Sequence, residues 1–178
     1  PDGTLLSLPI PYTHGRSYSE LSYAEQTYEE IIKQLSPRFK HTTCHLDPDI
    51  REGIFHAPDA WVPIFGQDAA ALSHLMTQGI GVDDLFLFFG WFKQTERGPD
   101  GNLRYMRNAP DLHVIYGYLQ VGAMIKGQEE IRKYAWHPHA EITNPKNSLF
   151  IARDICSWNE NIKGSGVFCY DKRLVLTK

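Results

Sequence analysis

Three cysteines in 178 residues, Cys44, Cys156 and Cys169, are too few and too scattered for a disulfide framework or a zinc knuckle. The odd total and the lack of any Cys-x-x-Cys spacing favour a reducing compartment, so a cytoplasmic protein is expected. Long hydrophobic runs are missing too. No window approaches the roughly 20 consecutive apolar residues that span a bilayer, and Pro1-Asp2-Gly3 is not the charged-then-apolar opening of a leader. The chain is expected to be soluble and without a membrane partner, and its opening without Met reads as a trimmed end. There is no excess of positive charge either: a net charge of −3 excludes a protein that coats nucleic acid by bulk electrostatics. DNA or a modified nucleotide remains as a partner only through a local site. The sequence also lacks a Gly-rich phosphate loop, a Gly-x-Ser-x-Gly elbow, a His-Glu-x-x-His helix, and a His-x-Glu followed by Cys-x-x-Cys. Common nucleotide hydrolases, zinc proteases and zinc deaminases thereby lose support.

What is present is a core. A hydrophobic fraction of 42% over 178 residues suits one domain spanning the chain. Its centre is the stretch from Gly81 to Met124. After the polar turn Gly81-Val82-Asp83-Asp84, the unbroken run Leu85-Phe86-Leu87-Phe88-Phe89 predicts a buried strand. A polar loop from Lys93 to Asp111 returns the chain as His113 to Val121, a second β-branched and aromatic strand. Two such apolar strands need cover on both faces and are expected at the middle of the fold. Around them, Leu5–Leu8 predicts an edge strand, Tyr23–Leu35 a helix, Ala69–Gln78 a second helix and Gly127–Trp136 a third. Leu149–Ala152, Val167–Tyr170 and Leu174–Leu176 predict short strands, with a loop over Asn161–Gly166. Six or seven strands and three helices in mixed order give an α+β class with a curled mixed sheet.

Several blocks, taken together, resemble one family. They are Pro1 to Pro11, Cys44-His45-Leu46-Asp47-Pro48-Asp49, Phe65-Gly66-Gln67, Asp84 to Phe92, Asp111 to Gly117 and His137-Pro138-His139. They resemble the nucleotide modification associated domain 3 family, which implies a link to the DNA base-modification systems of bacteria and their phages. The resemblance brings no reaction or catalytic residue with it. It also implies that a segment usually precedes the Pro-Asp-Gly block and that further sequence follows the last strand. The Gly-x-x-Asp turn with its aromatic strand, and Tyr116 to Val121, are also similar to PUA-like domains of the EVE, ASCH and YTH groups. That second likeness implies a small mixed β-barrel that holds a modified or unpaired base in an aromatic pocket.

The candidate site residues follow from chemistry. His45, Asp47 and Asp49 alternate, so an extended chain sends all three to one face, as an acid/base set or as ligands for a divalent metal; Asp-Pro-Asp also reads as a turn. His137 and His139 share a face and offer two nitrogen ligands, or cap a helix end. Trp91, and less so Phe92, stand where a base could stack, with core packing as the competing role. Gln67 has the amide to read a base edge or to cap the next helix. His74 lies mid-helix, as a catalyst or an interior histidine. Asp111 and His113 form a same-face pair, as a dyad or a strand-end link. Lys93, Arg97, Arg104 and Arg107, with Tyr105 among them, make the long loop basic enough for phosphates or merely well solvated. Two functions emerge. One is recognition of a modified or flipped base through Trp91, Gln67, Phe92, Asp111, Arg104 and Arg107. The other is an enzyme of base modification or its removal, a glycosidase, transferase or nuclease, using His45, Asp47, Asp49, His74 and His113. A scaffold subunit without a site is the third.

Overall fold

The computed structural model describes residues 2–177. In chain order the elements are β1 (Ile10–Ser17), β2 (Ser22–Tyr23), β3 (Gln26–Thr27), α1 (Tyr28–Leu35), β4 (Thr43–His45), β5 (Ile64–Asp68), α2 (Ala69–Thr77) and β6 (Leu85–Lys93). There follow β7 (Thr95–Arg97), β8 (Leu103–Tyr105), β9 (Asp111–Lys126), α3 (Gln128–Ile131), β10 (Asn147–Ala152), β11 (Ile155–Cys156), β12 (Asn159–Lys163) and β13 (Ser165–Val167). The class is α+β, a curled sheet with helices around it.

The sixteen-residue β9 organises the sheet. It pairs with β6 along one edge; its other edge pairs with β13 at residues 117–119 and with β10 at residues 121–126, and β10 continues to β5. The register slips between Phe88 and Phe89 on β6, where Tyr116 is the extra residue on β9, and again between Ile151 and Ala152 on β10. Each slip bends its strand and adds twist, which curls the sheet into a half-barrel. Its inner face carries Phe88, Val114, Tyr116, Leu119, Val121 and Phe150, with Leu72 of α2 packed against them.

A second layer rests on the rim of this sheet. Strands β1 and β4 pair as a ribbon, and α1 packs beside it with Tyr28, Ile31 and Ile32 buried. The helix expected from Tyr23 starts at Tyr28. The reason is local: Ala24 has a positive φ, β2 and β3 form a tight hairpin, and Thr27 with Glu30 makes a capping box.

Other elements also differ from the expectations. Leu5–Leu8 forms no strand; Leu5 is buried in the core and the stretch lines a cavity. The predicted third helix is one α turn followed by a 3-10 turn at Arg132–Tyr134. Residues 161–166 lie mostly in β12 and β13, and the predicted last strand is a 3-10 turn with a single bridge from Val175 to Val114. The clearest correction concerns β6. Its side chains alternate, with Phe86, Phe88, Gly90 and Phe92 turned inward and Leu85, Leu87, Phe89 and Trp91 left exposed. An unbroken apolar run does not say whether one face or both are covered; here only one is.

No helix among the described residues is long and apolar enough to cross a membrane.

Phe150 is fully buried and its ring meets Phe65 and Phe86, so Phe150→Ala is predicted to cost roughly 3–5 kcal/mol. Leu87→Ser, on the open face of the same sheet, should change stability by less than about 0.5 kcal/mol. Urea denaturation followed by far-UV circular dichroism separates the two.

Candidate functional site

Three segments remote in sequence meet behind β5. Past the end of β4 the chain turns at Asp47-Pro48 and runs back to β5, where Asp49 and Ile64 exchange backbone hydrogen bonds of 2.9 Å in both directions. His137 and His139 flank Pro138 at the start of a 3-10 turn that packs on β10. The third segment is β5 itself, at Gly66. There a Cβ would run into the His139 ring, so glycine is what lets the imidazole lie flat on the strand.

The group these segments build is a buried carboxylate surrounded by imidazoles. The Asp47 side chain is 5% exposed; its Oδ1 accepts the Gly66 backbone N–H at 2.9 Å and lies 3.5 Å from His137 Nε2. Its Oδ2 lies 3.4 Å from His139 Nε2 and 3.8 Å from His45 Nε2. Burial alone would raise the Asp47 carboxyl, but its contacts with His137, His139 and His45 outweigh that and hold it well below the usual range.

The hydrogen-bond network assigns the ring protons. Asn147 Nδ2 donates to the carbonyls of His139 and Ile142, which turns its Oδ1 toward His139 Nδ1 at 2.8 Å. His139 Nδ1 is therefore the donor, and its Nε2 faces Asp47 with a lone pair unless a second proton is bound. His137 is the reverse case. Its Nδ1 accepts the His139 backbone N–H, so the neutral ring carries its proton on Nε2, aimed at Asp47 Oδ1. Burial keeps His137 below the ordinary imidazole value. His139 is also pushed down by burial, but Asp47 and Asn147 overcome this and raise it.

Asp47 also belongs to the wall of a cavity of about 870 Å³. The other walls are the extended residues 2–10, the end of β6 from Phe89 to Lys93, Leu103 and Tyr105 of β8, and Leu112, Val114 and Tyr116 of β9. Burial, and after it the Asp47 charge, push the Tyr116 phenol up to about 12, which places a neutral hydroxyl near the carboxylate. A space of this size with mostly apolar walls and a few convergent polar groups has the character of a small-ligand site.

The candidates from the sequence separate clearly. His45, Asp47, His137 and His139 come together, and the two histidine groups of the sequence prove to be one cluster. His45, Asp47 and His139 offer ligand atoms all within 4.8 Å of one another, the spacing of a metal-holding set. Asp49 is buried on the far side, where its Oδ2 accepts the Trp61 indole N–H at 2.8 Å; burial pushes its carboxyl up to about 7. Gln67 falls on the opposite face of β5 from Gly66 and does not line the cavity. His74 is exposed on α2, away from the cluster. Trp91 stands exposed at the cavity rim, stacked on His113 at 5.8 Å between ring centres, and Phe92 faces inward against Tyr116. Asp111 pairs with Lys93 at 3.4 Å and Arg104 with Glu96 at 2.9 Å, while Arg97 and Arg107 are exposed in the loop.

Sequence reasoning missed Gly66, Tyr116 and Asn147 as members of the site. Gly66 and Tyr116 stood inside matched blocks without a chemical reason to single them out, and Asn147-Ser148 before a strand reads as a turn.

Gly66→Ala is predicted to displace the His139 ring and lower stability by about 1–3 kcal/mol, as overpacking does. The His139 Nδ1–H resonance should shift while far-UV circular dichroism stays unchanged; an unmoved resonance would contradict the packing described here. Neither a curated protein nor a solved structure matches the chain. A family model does, over residues 1–178, and its description is nucleotide modification associated domain 3. The whole chain lies within that match, and the protein belongs to the nucleotide modification associated domain 3 family.

Proposed function

We propose that this domain takes a modified or extruded base of DNA into the cavity and presents it to the Asp47 cluster. The observation that carries the reading is the place of Asp47, whose carboxylate is ringed by histidines, in the wall of an aromatic-lined space of nucleotide size, in a chain of a nucleotide-modification family. A base inside a duplex cannot reach a recessed carboxylate, so the substrate is a flipped or single-stranded base. Phe92 and Tyr116 supply flat apolar walls, and the exposed Trp91 a stacking surface at the rim. Asp47, as an acceptor, suits an exocyclic amino or hydroxyl group of the base. Phosphate contact falls to Lys93, which lines the cavity and is held by a single exposed partner, Asp111.

The enzymatic reading is the second hypothesis, favoured by the density of the cluster. Recognition needs one acceptor, whereas Asp47, His45, His137 and His139 form a set able to hold and move a proton.

Binding and turnover on single-stranded oligonucleotides carrying cytosine, 5-methylcytosine or 5-hydroxymethylcytosine test both readings. Trp91→Ala should weaken binding roughly five-fold or more, as loss of one stacking partner worth about 1–3 kcal/mol implies, with no change in Tm. Asp47→Asn separates the two: in a reader, where one acceptor oxygen remains, binding weakens and neither wild type nor variant ever forms product, whereas an enzyme loses turnover by roughly a hundred-fold or more. Undiminished binding by Trp91→Ala, or no binding by the wild-type protein to any of the three, would refute the cavity as a base site.

A further inference from the structure

The atoms around Asp47 Oδ2 are arranged for an ion rather than for hydrogen bonds. His139 Nε2 and His45 Nε2 stand 3.4 and 3.8 Å from this oxygen, beyond the 2.7–3.2 Å at which N–H and O bond well. Two ligands each at ~2.1 Å from one ion and at tetrahedral angles are ~3.4 Å apart, so the 3.4 Å separation matches an edge of a tetrahedral shell and the 3.8 Å separation a wider angle of about 130°. The ring protons are compatible with this. Asn147 Oδ1 accepts the His139 Nδ1–H, so His139 Nε2 meets the carboxylate oxygen through either a second ring proton or a shared cation, and a metal ion takes the place of that proton.

We infer that His45, Asp47 and His139 bind one divalent first-row transition-metal ion. His137 and Gly66 are not ligands in this arrangement. They engage the other carboxylate oxygen, Oδ1, and fix the orientation of Asp47, while Asn147 fixes that of His139; carboxylates and ring nitrogens of metal ligands are held this way by their neighbours. The buried and otherwise unpartnered His137 Nε2 points at the same carboxylate. Two imidazoles and one carboxylate select ions such as Zn²⁺, Fe²⁺, Mn²⁺ or Co²⁺ over Mg²⁺ and Ca²⁺, which prefer oxygen donors, and over Cu⁺, which prefers sulfur. Three protein ligands leave positions open for water or a substrate atom, the mark of a reactive rather than a purely structural ion. Asp47 is shared by the ligand set and the cavity wall, so the ion would lie next to the cavity.

This inference goes beyond base binding and does not need it. The full chain, stripped with a chelator, is titrated with Co²⁺ and with Zn²⁺ by calorimetry and visible absorption. One ion per chain is expected, with a Co²⁺ spectrum of nitrogen and oxygen ligands, together with a rise in Tm on loading. His139→Ala and Asp47→Asn should each weaken binding a hundred-fold or more, Asn147→Ala about 10- to 100-fold, and His74→Ala not at all. A wild-type protein that takes up no stoichiometric ion, or binding that survives in folded His45→Gln and His139→Gln variants, overturns the assignment. Oligonucleotide binding by the chelator-treated protein is read separately, so the loss of one proposal is not mistaken for the loss of the other.

Discussion

Everything near the cavity answers to one constraint, the burial of the Asp47 carboxylate. Taking an isolated carboxylate out of water costs several kcal/mol even after relaxation, so the fold must return interactions of comparable strength or lose the ionised form. It does so with groups from three places: the backbone N–H of Gly66 on β5, the two rings of the His137-Pro138-His139 turn, and His45 at the end of β4. Each must arrive at one point, which ties the ribbon layer, the sheet and the 3-10 turn together. Asn147, at the first position of β10, closes the arrangement by anchoring the turn through the His139 carbonyl and its ring.

That convergence also explains where the cavity lies. At the end of β6 and β9 the inner face is met by residues 2–10, which bury Leu5 in the core and line the cavity without joining the five-stranded sheet. They pair elsewhere, Thr4 with Cys169 and Ile10 with His45, and the space between them and Phe92, Leu112 and Tyr116 forms the cavity that Asp47 also lines. The β7–β8 hairpin, held to α1 through Leu103 N–H and Gln34, forms the remaining side. The long loop thus has a structural task as well as its charges, most of which are matched: Arg104 by Glu96, Lys93 by Asp111.

The sequence made the class, the central antiparallel pair and the alanine-rich helix legible, because each rests on a local pattern. It made the histidine and aspartate candidates legible as types, since such groups are rarely spent in this density without a purpose. It did not show that His45-Leu46-Asp47 and His137-Pro138-His139 form one site, because contact between segments some ninety residues apart leaves no periodic trace. The alternation of His45, Asp47 and Asp49 suggested one face, but the strand ends at His45, and Asp49 faces Trp61 instead. The open row on β6 was hidden for a related reason: Leu87 and Phe89 look like core residues, and they are exposed because no layer among the described residues covers that face of the strand.

The charge distribution along the cavity sets the direction in which a nucleotide would enter. At the inner end the carboxylate of Asp47, lowered well below its usual range, repels a phosphate, and the neighbouring Tyr116 hydroxyl stays neutral. At the rim Lys93 is the cation, shared with an exposed Asp111 that water screens strongly and a phosphate can displace. Between them the walls are largely apolar and aromatic, which favours a base over a sugar phosphate. On the function proposed above, this field would orient the ligand base first, with its edge at Asp47 and its backbone outside. A divalent ion at His45, Asp47 and His139 would over-compensate the carboxylate and leave a net positive charge at the inner end, so the base-first order would then rest on the apolar walls between the rim and the metal.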